Sequence, residues 1–274
     1  RPIVKHNMTV RHPSEIPHLV KKAFYLAKSG RPGPVVIDIP KDMTAPNGRF
    51  EYEYPEKVSM RSYTPAVRGH AGQIRRAVDM LMNARRPIIY AGGGVILGKA
   101  SQQLTDLAHE LGFPVTNTIM GLGGFPATDQ QSLGWLGMHG SYESNMAMHH
   151  SDLVLAIGAR FDDRVTNATD KFCPGARIVH VDIDPASISK TVQADVPIVG
   201  PVDSVLEEML SLVRESDEQP DQQALEAWWK QIREWGRYRS RYHYEQNGDN
   251  IMPQEAIEAL YRVTKGDVYV TSDV

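Results

Sequence analysis

The stretch Ser151 to Val165 changes character at Gly158, and that change limits what the rest of the chain can become. Leu153 to Ile157 is an unbroken apolar run, the pattern of a strand buried on both faces of a parallel sheet. Beyond Gly158 come Arg160, Asp162, Asp163 and Arg164, charged side chains just past the strand's carboxyl end, where open α/β sheets bind their ligands. Such a loop is equally compatible with solvated local ion pairs. The flanking segments favour a ligand.

Those segments alternate regularly. Ser14 is placed as the N-cap of a helix whose Ile16, Leu19, Val20, Ala23, Phe24 and Ala27 share one face, and Gly30 stops it. Arg31-Pro-Gly-Pro turns the chain into a buried-type strand, Val35 to Ile39. One helix and one strand cannot close a core, so residues 1–45 read as the tail of a domain whose body lies upstream, expected to be poorly ordered or covered by a neighbour. Prolines, tyrosines and charges from Ala45 to about Gly69 mark a connection. Then follow a helix near Gln73 to Asn83, a strand Pro87 to Ala91, a helix near Ala100 to Leu111 and a strand Pro114 to Thr118. A glycine-rich passage read as mostly loop, Met120 to Gly140, leads to a helix near Tyr142 to His149. After the opening strand come strands Arg177 to Val181 and Val196 to Val199, and an amphipathic helix Val202 to Val213. This alternation predicts right-handed βαβ crossovers, hence an α/β fold with a doubly wound parallel sheet.

Composition removes several classes. A net charge of −3 without a basic stripe gives no support to a nucleic-acid groove. The single cysteine, Cys173, excludes an internal disulfide and a multi-cysteine metal site, and suits a reducing, cytoplasmic compartment. No apolar run reaches the roughly 18 residues of a membrane span. The chain begins at Arg1 without methionine and stops at Val274 straight after an apolar run, so it reads as a piece of a longer protein.

Nucleotide signals sit at the strand ends. Gly92-Gly93-Gly94 follows Pro87 to Ala91, where missing β-carbons would let N–H groups approach a pyrophosphate, or simply permit a tight turn. Asp182 has the position and chemistry to accept from ribose hydroxyls, whereas Asp184 before Pro185 fits a helix N-cap. Gly121-Leu-Gly-Gly-Phe and Leu136-Gly-Met-His-Gly alternate apolar side chains with glycines, a lining suited to a large flat ring, and His139 is assigned contact rather than proton transfer. Trp228, Trp229, Ile232 and Trp235 recur at helical spacing and read as packing. Arg237 to Arg241 with Tyr238 and Tyr242 reads as a solvated helical face, since Glu226, Glu234 and Glu245 interrupt its charge.

Ser29-Gly-Arg-Pro-Gly-Pro-Val-Val-Ile-Asp-Ile-Pro-Lys-Asp, Leu136-Gly-Met-His-Gly and Gly158-Ala-Arg-Phe-Asp-Asp-Arg, in this order and spacing, resemble the large catalytic subunit of the acetolactate synthase family of thiamine-diphosphate enzymes. The resemblance implies the end of a pyrimidine-binding domain (1–45), a linker (46–68), a Rossmann-like central FAD-binding domain (69–214), a linker with a helix (215–250) and the start of a diphosphate-binding domain (251–274). It implies FAD surrounded by Arg31, Gly92, Gly93, Gly94, Thr118, Ile119, Leu136, Gly137, Met138, His139, Gly158, Arg160, Asp162, Arg164, Val165, Asp182 and Ile183. In this family the flavin is chiefly structural. By the same resemblance Arg164 holds the carboxylate of a 2-keto acid, Met138 helps form an apolar acceptor pocket, and Lys41 stands at the entrance channel.

The resemblance also implies thiamine diphosphate and Mg2+ in the intact protein, 2-keto acid substrates, a homodimer or higher assembly and a regulatory small subunit, with no nucleic-acid or membrane partner. The glutamate that activates the thiamine lies upstream of Arg1 in the family and the Gly-Asp-Gly metal motif downstream of Val274, so this chain alone is expected to be inactive and to hold no metal. Thr271-Ser272-Asp273-Val274 matches the run leading into the first diphosphate contacts. Gly200-Pro201-Val202 departs from the family's usual Gly-Asp-Ala, which removes an expected acidic contact near the flavin unless Asp203 replaces it. The competing readings are a flavin-dependent pyruvate oxidase or other decarboxylase of the superfamily, and a nucleotide-binding module without catalysis. An NAD-dependent deacylase is disfavoured for want of four zinc cysteines.

Overall fold

The computed structural model describes residues 3–45, 50–238, 244, 248 and 250–271. Arg241, Tyr242 and Glu245, and Ser272 to Val274, lie outside them. The principal sheet has six parallel strands: β3 (Pro87–Ala91), β4 (Val115–Asn117), β5 (Ser132–Trp135), β6 (Leu153–Ile157), β7 (Arg177–Asp182) and β8 (Val196–Val199). They lie in the order β5-β4-β3-β6-β7-β8, so the sheet grows outward first on one side of β3 and then on the other, as the alternation predicts.

Each face is covered by helices. Helices α2 (Ala71–Met82), α4 (Ser101–Leu111) and α7 (Val202–Glu215) bury Ile74, Leu81, Leu104, Leu107, Val205 and Leu206 against the side chains of Ile89, Leu155, Val179 and Ile198. The opposite face, with Ile88, Tyr90, Val154, Ala156 and Ile178, is covered by α5 (Tyr142–His150) and α8 (Gln222–Tyr238). Complete burial of β3 and β6 on both faces accounts for their continuous apolar sequences. The tryptophan stripe on α8 is packing, as expected. The Trp228 indole donates to the Pro87 carbonyl at 3.0 Å and the Trp229 indole to the Gly112 carbonyl at 2.8 Å.

Residues 3–45 form a smaller unit with β1 (His6–Thr9), α1 (Ile16–Lys28) and β2 (Val35–Asp38), in which β1 and β2 pair in parallel. This corrects three expectations. The segment carries a two-stranded sheet of its own. β2 is not fully buried, since Val36 is 46% exposed and Ile39, just beyond it, 42%. Ser14 does not cap α1: it lies inside a 3-10 turn, Pro13–Glu15, whose N-cap is His12. The proline-rich connection is tied back onto this unit, because the Tyr63 hydroxyl donates to the Ser29 carbonyl at 2.9 Å and accepts from the Lys5 ammonium at 3.0 Å.

The passage 120–140 holds more than loop, since it contains β5. The triple glycine opens a short helix, α3 (Gly93–Leu97). Another short helix, α6 (Asp163–Thr166), follows β6, and α9 (Pro253–Thr264) exposes Ile257, Leu260 and Tyr261. No helix among the described residues is long and apolar enough to cross a membrane.

Candidate functional site

β3 and β6 lie side by side where the order of strands reverses, and their carboxyl ends form the mouth at which open α/β sheets bind ligands. Its floor is backbone against backbone. The Gly92 amide donates to the Ile157 carbonyl at 2.9 Å, the Gly94 amide to Gly158 at 3.1 Å, and the Gly158 amide to Val181 at 2.8 Å. A β-carbon on Gly92 would stand 2.1 Å from the Gly158 oxygen, and one on Gly94 2.6 Å from the Gly158 Cα. Gly158 also has φ +58°, where a side chain is strained. Of the three glycines expected to let N–H groups approach a pyrophosphate, Gly92 and Gly94 use theirs to join β3 to β6. Gly93, at the first turn of α3, donates to no backbone carbonyl among the described residues.

The charged loop after β6 forms one wall. Phe161 is fully buried at φ +51°, its ring 5.6 Å from Tyr90, 5.9 Å from Phe172 and 5.1 Å from His180. With that ring keyed into the core, Arg160, Asp163 and Arg164 are held outward and exposed. Asp162 organises them, capping α6 by accepting from the Arg164 amide at 3.1 Å and pairing with the Arg160 guanidinium at 2.5 Å. The Arg164 amide, opposed by burial and reinforced by Asp163 and the two arginine cations, holds the Asp162 carboxyl below its ordinary pKa.

Leu136 to Gly140 lies directly against this wall. The Met138 amide donates to the Arg164 carbonyl at 3.0 Å, so an exposed apolar side chain and an exposed guanidinium belong to adjoining backbone. Gly137, at φ +108°, leaves no room for a side chain: its β-carbon would lie 2.9 Å from the Arg164 oxygen and 3.1 Å from Val165 Cγ2. Asn145, which sequence reasoning missed, brackets this glycine, accepting from its amide at 3.2 Å and donating to its carbonyl at 3.0 Å.

The other expected residues divide by exposure. Ile119 at 57% and Met138 at 58% are open at the rim, and His139 is exposed with its ring 6.1 Å from Trp135. Leu136 is the exception, 2% exposed, with its side chain in the core and its amide donating to Asn117. Thr118 caps the 3-10 turn Ile119–Gly121, accepting from the Gly121 amide at 2.9 Å. Asp182 and Ile183 are half-buried at the end of β7; one Asp182 oxygen accepts from the Asp184 amide at 2.8 Å, and burial raises the carboxyl's pKa. Asp184 caps no helix, contrary to expectation. It accepts from the Ala186 amide in a turn and pairs at 3.3 Å with Arg31, which thereby joins the smaller unit to the mouth. Lys41 lies apart in a shallow depression lined by Asp42, Thr44 and Ala45, with no hydrogen bond or ion pair to the mouth among the described residues. Asp203 is exposed in the first turn of α7, and its neighbour Pro201 is the N-cap without a side-chain bond.

Two buried groups beneath the loop escaped sequence reasoning. Tyr90 and His180 flank Ala156 in one row across the sheet, and the Tyr90 hydroxyl and His180 Nδ1 have no hydrogen-bond partner among the described residues. Burial raises the pKa of the phenol and lowers that of the imidazole.

Residues 74–209 match the family model described as thiamine pyrophosphate enzyme, central domain. Over its whole length the chain is 52% identical to the acetolactate synthase isozyme 3 large subunit of Escherichia coli and to the acetolactate synthase large subunit of Haemophilus influenzae, covering 48% of each. It is 42% identical to an acetolactate synthase of Mycobacterium leprae over 98% of the chain and 43% of that relative. The chain spans about half the length of the curated relatives it matches.

Proposed function

Because the chain belongs to the thiamine pyrophosphate enzymes through its central domain and aligns throughout with acetolactate synthase large subunits, we propose that the intact protein condenses pyruvate with a second 2-keto acid, releasing carbon dioxide, and that this chain supplies part of the acceptor site. The observation that carries this reading is the 3.0 Å bond between the Met138 amide and the Arg164 carbonyl, which joins the backbone positions that carry an exposed apolar side chain and a permanent cation. A short 2-keto acid needs that pairing. The guanidinium fork receives its carboxylate and the thioether borders its alkyl group.

The same mouth suits FAD in its rim rather than its floor. Ile119, Met138 and His139 offer exposed surface to a flat ring, Gly93 an amide to the pyrophosphate, and the second oxygen of Asp182 an acceptor to the ribose. Arg31, Arg160 and Arg164 contribute positive charge around it. Bound there, the flavin contributes a structural platform, since the condensation has no net redox change. Thiamine diphosphate and Mg2+ belong to the intact protein, as do assembly into at least a dimer and association with a regulatory subunit.

The test is to assay the intact protein for acetolactate with pyruvate, thiamine diphosphate, Mg2+ and FAD, alongside Arg164→Gln. Loss of a charge-assisted pair worth about 1.5–3 kcal/mol raises the acceptor KM about 10- to 100-fold. An unchanged KM in the variant, or no acetolactate from the unaltered protein, removes the reading. Titration of FAD against the same protein, followed by flavin fluorescence, checks the second ligand.

A further inference from the structure

We propose that Asn145 is a positioning residue that fixes the acceptor pocket and so sets its preference between 2-keto acids of different length, an inference resting on the function proposed above. Asn145 lies one turn inside α5 and reaches outward to Gly137. Its oxygen takes the Gly137 amide at 3.2 Å, while its nitrogen donates to the Gly137 carbonyl at 3.0 Å and to the Ser141 carbonyl at 2.9 Å. A single amide group offers both an acceptor and donors, so one side chain holds both ends of the glycine.

That matters because Gly137, once unbracketed, has the backbone freedom of a glycine. At φ +108° it has no β-carbon to limit its dihedrals, and its neighbour Met138 carries the bond to the Arg164 carbonyl. Without the bracket, rotation at Gly137 shifts the Met138 side chain relative to Arg164. The guanidinium's charge is untouched. What changes is the width of the apolar gap beside it, and with it the fit of an extra methylene on the acceptor. Asn145 touches neither reacting atom nor cofactor in this scheme.

The experiment compares Asn145→Ala with the unaltered intact protein in competition between pyruvate and 2-ketobutyrate as acceptors. The expected result is an acceptor KM about tenfold higher, a smaller change in kcat, and a shifted ratio of the two products. Ser141→Ala serves as the control, because it removes the α5 cap and the bond to Leu133 while leaving the Ser141 carbonyl that Asn145 uses. It should lower stability without moving the product ratio. If Asn145→Ala is too unstable to assay, Asn145→Ser, which cannot span both Gly137 groups, replaces it.

A second readout is independent of activity: trypsin cleavage after Arg160 and Arg164 should be several times faster in the Asn145 variant and unchanged in Ser141→Ala. An unchanged product ratio with an unchanged cleavage rate overturns the inference, as does a shift of equal size in the control. Should the unaltered protein form no acetolactate, the functional reading fails, and the positioning role in catalysis fails with it.

Discussion

Replacing the glycines of the β3–α3 turn one at a time separates packing from ligand binding. In Gly92→Ala the new methyl would stand 2.1 Å from the Gly158 oxygen, 2.6 Å from its carbonyl carbon and 2.7 Å from the Ala159 Cα. All three are backbone atoms of a strand end buried on both sides, so no side chain can swing away. Gly92 has φ −107°, which alanine adopts freely, and the cost is therefore steric alone. It belongs at the upper end of the roughly 1–3 kcal/mol typical of overpacking, about 3 kcal/mol. In Gly93→Ala the methyl meets the Met120 Cβ and carbonyl oxygen, both at 3.2 Å, so the short turn carrying this 74% exposed residue must give by a few tenths of an ångström, and alanine's better helix propensity contributes about 1 kcal/mol in return. Its net effect should lie within about 0.5 kcal/mol of zero. Equilibrium unfolding in urea, followed by tryptophan fluorescence and by circular dichroism, reads the difference. With a slope of about 2–3 kcal/mol per molar urea, Gly92→Ala lowers the midpoint by about 1–1.5 M, while Gly93→Ala leaves it in place. Equal losses in the two variants, or an unchanged midpoint for Gly92→Ala, would refute the assignment of Gly92 to the β3–β6 contact.

Three further outcomes follow from the buried groups. Tyr90→Phe removes a hydroxyl with no partner among the described residues and should be neutral or stabilising by up to about 1–3 kcal/mol in thermal or urea unfolding; a clear loss would mean the hydroxyl is bonded after all. The Cys173 thiol, pushed up to about 12 by burial, should react with a thiol reagent at pH 8 only as fast as the protein unfolds, and rapid labelling of the native protein would contradict this. His180 is held below its ordinary 6.5 by burial, so the unfolded chain binds its proton first and stability falls as pH drops beneath that value. His180→Phe forfeits the 2.8 Å bond to the Ala159 carbonyl and should be less stable at pH 8, yet lose less on acidification; parallel pH profiles would refute the titration argument.

The strands with continuous apolar runs were the legible part of the chain. Pro87–Ala91, Leu153–Ile157 and Val196–Val199 stand where their apolar runs end. β1, His-Asn-Met-Thr, has no apolar pattern because it is held by backbone pairing to β2 rather than by its side chains. β5 escaped notice because Gly134 interrupts it at a register shift against β4. α3 begins with two residues that disfavour helix by about 1 kcal/mol each, and its apolar anchor is Val95, buried beneath it. In the site, the charges beyond β6 pointed to the mouth of the sheet. Their closeness to Leu136-Gly-Met-His-Gly came from resemblance alone, since no local pattern announces a contact between residues so far apart in the chain. Asn145 gave one faint signal, a residue poor in helix interiors sitting inside a helix.

Helix α8 has a practical consequence for anyone wishing to isolate the parallel sheet. Its indoles satisfy carbonyls at the foot of β3 and at the tail of α4, and Leu225, Trp228 and Ile232 are sealed among residues from much earlier in the chain. Trimming after α7 would bare both carbonyls and an oily flank of the sheet. A stand-alone piece meant to stay soluble should therefore be cut no sooner than the end of α8.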